Sequence, residues 1–399
     1  MKLLWLCHYS LEYLRGKIAL DLEGYQVHPA PWIHDLAEAV QEFDDVELHI
    51  ITVTGFIPVD VLYHSGNMHL YAYSLTTGKG RSGRWGKMLR FQARRIMHQK
   101  IRSRIRKISP DVITIHGTEH TFTNAALDQP FPVVLWMQGV MQVIYKDRED
   151  KVSRNLIAHE RLLFRRIHHF VTAQPHIQRL VRELNPEAQF YPLFYPVSPI
   201  AFQTSTEVAK RYDISFSGTL IKRKGVEDFL QALAIIKRSR PDISACFIGP
   251  PEDSAYMEHL VKMADSLNVL GNCHFIGRLE DHKDVLKEVA SSSLFVYPTH
   301  ADTAPLSLAE AMAMGKAVIA TDVDGIPAMI SQGENGILVP VAQPEVLAAE
   351  ILGLLGDQEM RKRLGEKARQ YAMEHFAPAP IASAYLQLCA ELCRKPQEI

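Results

Sequence analysis

Cysteine is scarce in this sequence. Five in 399 residues are too few for a disulfide framework. Cys7, Cys246 and Cys273 stand in apolar runs and read as buried thiols. Cys389 and Cys393 share a helix face, but two ligands without a nearby histidine pair do not make a metal site. Long apolar runs are missing too. No window approaches about eighteen uncharged apolar residues, so no segment is read as crossing a bilayer. The N-terminal run Leu3–Cys7 is closed by His8, Glu12 and Arg15, which is too short an apolar core for a signal peptide and suits a first buried strand. These absences lead to the expectation of a cytoplasmic protein in a reducing compartment. Net charge is nearly absent as well. With 44 Lys+Arg against 45 Asp+Glu it is −1, so the whole-molecule charge gives no sign of a nucleic-acid partner.

What is present is ordinary globular material. Hydrophobic residues make up 47% and charged residues 22%, which excludes a disordered or collagen-like chain. The length suits two domains. The charge is unevenly spread. Residues 1–190 carry 24 basic and 19 acidic side chains, and residues 191–399 carry 20 and 26, so the halves differ by sign.

Short apolar runs alternate with amphipathic stretches along the whole chain. In the first half the runs are Leu3–Cys7, Val46–Val53, His69–Ser74, Asp111–Ile115, Pro132–Met137 and Phe170–Ala173. In the second half they are Ile214–Phe216, Ala245–Ile248, His274–Ile276, Leu294–Tyr297, Ala317–Ala320 and Gly336–Val339. Continuous rather than alternating apolar strands, separated by helices, indicate parallel sheets covered on both faces. Two such series predict an α/β protein of two doubly wound, Rossmann-like domains. The joint is the proline-rich stretch Tyr191–Pro199. The expected division is 1–194 and 195–376, with a last helix, 377–399, packing back on the first domain. Ligands of such folds sit at the C-terminal ends of the strands, so a cleft between the domains is expected to hold them.

Three stretches of the second half carry chemistry. The first runs from Phe216 through Gly218, Thr219, Lys222, Arg223 and Lys224 to Gly225. A strand end, a small-residue turn, three consecutive cations and a helix start can make a diphosphate site; the same pattern also fits a solvated basic loop. The second is Phe275-Ile276-Gly277-Arg278, a strand running into a turn where a flat ring could approach the backbone. The third begins with Asp302, Thr303, Ala304, Pro305 and Leu306 and continues to Glu310, eight residues beyond Asp302. A carboxylate can accept from two hydroxyls of a sugar diol, and the loop N–H groups at a helix start suit an anion. Asp302 can instead be a helix-start acid and Glu310 a surface residue, although Leu308, Ala309, Ala311 and Met312 around Glu310 make a purely solvated role less natural.

Taken together these stretches resemble the retaining glycosyltransferases of family 4, the group 1 transferases of GT-B fold. The resemblance rests on Gly218-Thr219-Leu220 with Lys224-Gly225, on Phe275-Ile276-Gly277, on the Asp302/Glu310 spacing, and on Met312 to Ala320, with Asp324–Pro327 and Gly333–Pro340 extending it. It covers about 125 residues closely and the rest loosely. It implies a nucleotide-diphosphate sugar as donor, a glycan or lipid-linked acceptor, and no metal or other cofactor. By the same resemblance Lys224 would neutralise the diphosphate with Lys222 or Arg223 in support. Glu310 would hold the ribose, Asp302 would meet the sugar, and Thr303–Leu306 would line sugar and phosphates. The base would lie near Gly277 and Arg278. Gln138 stands where the family commonly has His-Gly, and would face the sugar. It can hydrogen-bond but cannot titrate as a base. Thr219 stands where the family usually has a second arginine. These two departures are what a non-catalytic partner subunit would rest on; a nucleotide-sugar epimerase or hydrolase would share the fold.

The family also implies a reaction. The bond from sugar C1 to phosphate breaks through an oxocarbenium-like transition state, with leaving-group-assisted front-face attack and retention. The cations and N–H groups would stabilise the departing diphosphate. The acceptor would belong to the first domain, where His116, Glu119 and His120 follow a strand; a site role and a structural role are both open for these histidines. From Lys79 to Lys107, twelve cations and no acid occur. Within it the stretch 85–108 reads as a helix with one apolar face through Trp85, Leu89, Ala93, Ile96, Ile101, Ile105 and Ile108. It either covers the sheet or docks on an anionic membrane as a peripheral contact. No nucleic-acid-reading motif accompanies it.

Overall fold

The computed structural model describes residues 1–18, 30–75, 84–145, 148, 150–206 and 208–394, with backbone alone for 84–91. Residues 79–83 of the basic segment and the side chains of Trp85 and Leu89 lie outside the described residues. The chain forms two compact units, Met1–Tyr195 with Ile381–Ile399, and Pro196–Pro380.

The first unit is built on an eight-stranded sheet. Its strands are β1 (Lys2–Leu6), β2 (Glu47–Thr54), β3 (Val61–Ser65), β4 (Met68–Ser74), β5 (Val112–His116), β6 (Val133–Trp136), β7 (His169–Val171) and β8 (Gln189–Tyr191). Their order is β3-β4-β2-β1-β5-β6-β7-β8, parallel throughout except that β3 runs antiparallel to β4. Side chains alternate between two cores. Leu3, Trp5 and Cys7 point to one, which also contains Ile33, Leu36 and Val40 of the helix Pro31–Gln41 and Ile381, Tyr385, Leu388 and Cys389 of the last helix, Pro378–Arg394. Leu4 and Leu6 point to the other, with Met97, Ile101, Ile105 and Leu163. Burial on both faces is why these strands are continuous apolar runs.

Two strands escape the apolar-run reading. β3 and β8 are edge strands whose residues are mostly half-buried or exposed, so they carry little apolar signal.

The last helix is tied to the sheet by a buried polar link. The Trp5 indole N–H donates to the Tyr385 hydroxyl at 2.9 Å, and that hydroxyl lies 2.6 Å from Thr114 Oγ1.

The basic segment is a helix, Arg84–Ile108. Its buried stripe is Met97, Ile101, Ile105 and Ile108, whereas Ile96 is 63% exposed. The predicted stripe is thus corrected by one position: a four-residue step back from Ile101 reaches Met97, not Ile96. Three of its cations are committed inside the unit. Lys100 pairs with Asp60, Arg102 lies 3.6 Å from Asp128, and Arg104 donates to the Tyr73 hydroxyl at 3.1 Å. Arg94, Arg95, Arg106 and Lys107 are exposed.

The second unit is a fully parallel six-stranded sheet. Its strands are β9 (Tyr212–Ser217), β10 (Ala245–Ile248), β11 (Cys273–Gly277), β12 (Ser292–Tyr297), β13 (Ala317–Thr321) and β14 (Ile337–Val339). The order β11-β10-β9-β12-β13-β14 places β9 and β12 side by side in the centre. The chain reverses its direction of winding there, and such a switch point is where doubly wound sheets bind ligands. All six strands coincide with the apolar runs read from the sequence. Asp253, Asp281 and Asp357 cap helices by accepting N–H groups of the first turn, each worth about 1 kcal/mol.

Candidate functional site

In the second unit the site grows from the ends of β9 and β12. After β9 the chain passes Gly218 and the exposed Thr219, makes a single turn over Lys222–Lys224, and enters the helix Val226–Lys237. The turn presses against the end of β12. A Cβ on Gly225 would stand 1.8 Å from the Pro298 carbonyl oxygen, and its φ is +70°, so only glycine closes this junction. Hydrogen bonds stitch the two loops. The Arg223 carbonyl accepts from His300 N at 2.7 Å and from Thr299 Oγ1 at 3.0 Å, and the Arg223 guanidinium donates to the Ala301 carbonyl at 2.5 Å.

This stitching brings Lys224 to Asp302. The ammonium donates to Asp302 Oδ2 and to the Tyr297 hydroxyl, and that hydroxyl donates to the same carboxylate oxygen at 2.7 Å. The side chains of Lys224 and Asp302 are only 14% and 16% exposed. Burial pushes the Lys224 ammonium below its ordinary value, with Asp302 pulling the other way. Burial, then Asp302, raises the Tyr297 phenol far above its usual range, so it stays a neutral donor. Thr303, Ala304 and Pro305 follow, half-buried to buried, and Leu306 opens the helix Leu306–Ala313. Glu310 lies inside that helix, 13% exposed, with Oε1 2.9 Å from His282 Nε2. His282 is the first residue of the helix His282–Ala290, which Asp281 caps.

The remaining expected donor residues are less engaged. Gly277 ends β11 and its carbonyl accepts from Gly249 N at 2.9 Å. Arg278 is exposed, 3.6 Å from Glu280. Lys222 is exposed.

In the first unit the acceptor candidates lie beyond the C-terminal ends of β5 and β6. His116 does not present an open face. It is 1% exposed, its ring stacks on Trp136 and meets Trp5 edge-on, and its Nδ1 lies 3.0 Å from the Tyr195 hydroxyl. Burial pushes its imidazole down to about 3, so it is neutral. Of the two roles open for His116, these contacts describe the packing one: Trp136 lies against the ring, Trp5 meets it edge-on, and Nε2 is buried without a hydrogen-bond partner. Gln138 donates to the same Tyr195 hydroxyl at 3.4 Å.

Glu119 is partly buried, its carboxyl lying against Gly117 and Gly139. At Gly117, where φ is +77°, a Cβ would come within 2.0 Å of Glu119 Oε2. Desolvation raises the Glu119 carboxyl to about 7, with backbone N–H groups opposing and the Glu160 charge adding. His120 stands beside His8 and Phe122, and burial with the neighbouring histidines lowers it to about 4. Behind them Glu160 is fully buried and satisfied, accepting from Thr118 Oγ1 at 2.8 Å, Met141 N at 2.7 Å and Gln142 N at 3.1 Å.

Tyr297, His282, Tyr195 and Glu160 were not foreseen. Tyr297 hides in an apolar strand, and the others sit in stretches with no motif. Away from these sites, at the N-terminal end of the first sheet, Glu47, His49 and His69 bring three metal-competent atoms within 4.8 Å of one another.

The two Rossmann-like units define the GT-B type of α/β fold. The chain superposes on sucrose-phosphate synthase from Thermosynechococcus elongatus with a TM-score of 0.72, at 20% identity over 98% of this chain and 99% of that one. It superposes on Anabaena HepE, solved with UDP, with a TM-score of 0.67 at 15% identity over 98% and 100%.

Residues 198–371, which lie within the second unit, match the family of glycosyl transferases group 1. N-acetyl-alpha-D-glucosaminyl L-malate synthase of Bacillus anthracis is 30% identical over 196 residues, 47% of this chain and 50% of that protein. The lipopolysaccharide core biosynthesis glycosyltransferase LpsE of Rhizobium meliloti is 28% identical over 173 residues, 43% and 48%. The chain thus spans about half the length of these curated relatives it matches.

Proposed function

We propose that this protein is a retaining glycosyltransferase that moves a sugar from a nucleotide-diphosphate donor to a glycan or lipid-linked acceptor. The observation that carries the reading is the Lys224–Tyr297–Asp302 cluster at the ends of the two central strands, with Glu310 on the following helix. A buried cation beside a carboxylate, at a switch point and near a helix start, suits a diphosphate joined to a sugar. Anabaena HepE, solved with UDP, supports a nucleotide in such a fold. The relatives' names, a synthase and a glycosyltransferase, favour transfer over epimerisation, hydrolysis or mere binding.

In this reading Glu310 accepts the ribose hydroxyls and Asp302 a sugar hydroxyl. Lys224, with Lys222 or Arg223 from outside, takes the charge that grows on the leaving diphosphate as the C1–oxygen bond breaks. The acceptor oxygen bonds to C1 on the face the diphosphate leaves, and its proton passes to the departing phosphate oxygen. Retention follows from that same-face replacement. The chain's own cations supply the charge stabilisation, with no metal required. Gln138 lends a hydrogen bond to the sugar, and Glu119 and His120 receive the acceptor. Among the described residues, contact with an anionic membrane rests on Arg94, Arg95, Arg106 and Lys107, since Met97, Ile101, Ile105 and Ile108 of their helix are buried.

Incubation with UDP-, GDP- and ADP-sugars, with and without acceptor, tests the proposal. Nucleotide release that requires acceptor, with an NMR spectrum showing the donor's anomeric configuration in the product, is expected. Lys224→Ala and Glu310→Ala should each weaken donor binding. An inverted product removes the stereochemical part, and unchanged donor affinity in both variants removes the site.

A further inference from the structure

The strand order of the first sheet builds a cluster that no stretch of the sequence contains. β2 and β4 pair with His49 opposite His69, and β4 and β3 pair with His69 opposite His64. Three histidines therefore form one row across three strands, on one face of the sheet. The rings of His49 and His69 stack with centroids 4.7 Å apart, and His64 stacks on His69 at 4.4 Å. Two residues before His49, on the same face, Glu47 places Oε1 2.9 Å from His49 Nε2 and 3.5 Å from His69 Nε2.

His49 is the informative member. It is 5% exposed, and its Nε2 has no hydrogen-bond partner although the carboxylate oxygen is so near. Its other nitrogen, Nδ1, lies 3.3 Å from the Tyr71 hydroxyl. With Nδ1–H given to Tyr71, Nε2 is left as a buried acceptor that no hydrogen-bond donor meets, 2.9 Å from an anionic oxygen, and a cation close to both can bond to each.

We infer that Glu47, His49 and His69 bind a divalent transition cation of the zinc type. Zinc bonds of about 2.0–2.1 Å in a tetrahedron set ligand separations of about 3.3 Å; Glu47 Oε1 stands 2.9 and 3.5 Å from the two imidazole nitrogens, and all three ligand atoms lie within 4.8 Å of one another. Two imidazoles select zinc-like ions over magnesium or calcium, which take oxygen ligands. Tyr71 serves as the outer partner that fixes the His49 ring. The side chains of His69 and Glu47 are 30% and 43% exposed, so water can complete the coordination and the His69 ring can turn out of the stack to reach the ion. Lys2 lies 3.8 Å from the other carboxylate oxygen of Glu47 and leaves Oε1 to the ion. The site stands at the N-terminal ends of β2 and β4, whereas His116, Gln138 and Glu119 follow the C-terminal ends of β5 and β6. Its effect is a clip that holds the β3–β4 edge hairpin to β2.

The test uses the full chain, stripped with a chelator and titrated with Zn²⁺ by calorimetry and thermal melting, and with Co²⁺ by visible absorption. One equivalent of zinc, a rise in Tm and the absorption of tetrahedral cobalt are expected. His69→Gln and Glu47→Gln, both at partly exposed positions, should melt like the metal-free parent and lose at least about tenfold in zinc affinity. The chain has 18 histidines, so the variants matter. Absence of a zinc-induced shift in the parent, or a shift that both variants retain, overturns the inference.

Discussion

Lys224 gives its ammonium to Asp302, 78 residues further along the chain, and both share the Tyr297 hydroxyl. The cation that would meet a diphosphate is thus already neutralised by the carboxylate that would meet the sugar. Donor binding has to loosen this pair. Asp302→Asn removes the competing charge, so a bare nucleoside diphosphate should bind more tightly, by about 1 kcal/mol or fivefold. Sugar transfer should fall by about 100-fold, because a charged hydrogen-bond partner of the sugar is gone. Calorimetry with UDP, GDP and ADP beside a transfer assay separates the two effects. Weaker diphosphate binding by the variant would show that Asp302 does not compete for Lys224.

Glu119 is raised to about 7 by desolvation. Its charged form, the one that accepts a hydrogen bond from an acceptor hydroxyl, fills as pH rises through that value. The KM for acceptor should therefore fall between about pH 6 and pH 8, while Glu119→Gln should make it flat across the same range. A parent enzyme whose acceptor KM ignores pH would take Glu119 out of the acceptor site.

Lys316 is 3% exposed and donates to the carbonyls of Ala290, at 3.1 Å, and Ser292. Burial, then the nearby Lys210, lowers it from 10.5 to about 6. The unfolded chain binds this proton more strongly than the folded one between those two values. Stability should therefore rise with pH across that window, and the gain is lost as pH falls toward 6. Urea unfolding from pH 6 to pH 9 should give a shallower slope for Lys316→Met than for the parent. Equal slopes would mean that the lysine keeps its ordinary proton affinity in the fold.

Tyr385→Phe probes the link between the last helix and the first sheet. It leaves the Trp5 indole N–H buried without its acceptor and strips Thr114 of a partner. The cost should be about 2 kcal/mol, a drop of roughly 4–8 °C in Tm for a unit of this size. Chemical denaturation followed by tryptophan fluorescence reads it directly, and a parent-like midpoint would mean water replaces the hydroxyl.

Much of the fold is legible in the residues because burial on both faces demands continuous apolar strands. The central strands of both units carry that mark. The edge strands β3 and β8 do not, since an edge is wet on one side; β11, also an edge with no buried residue, is still read from its run His274–Ile276. Lys224-Gly225 and the Asp302/Glu310 spacing are local patterns, visible because a turn and one helix need residues at fixed offsets. Tyr297 gave no signal, as an aromatic in an apolar strand is ordinary core until its hydroxyl finds partners.

The sequence by itself determined the layer architecture and the stretches that hold the cations and carboxylates, because periodicity and turn chemistry act within a few residues. Only the tertiary structure decided which of them meet. The pairing of Lys224 with Asp302 depends on β9 lying beside β12, and the burial of His116 depends on Trp5, Trp136 and Tyr195 closing round it. The row of His49, His69 and His64 depends on strand register. Register and strand order are set by packing across the whole sheet, and one residue of slip in β4 would turn His69 to the other face, away from His49 and Glu47.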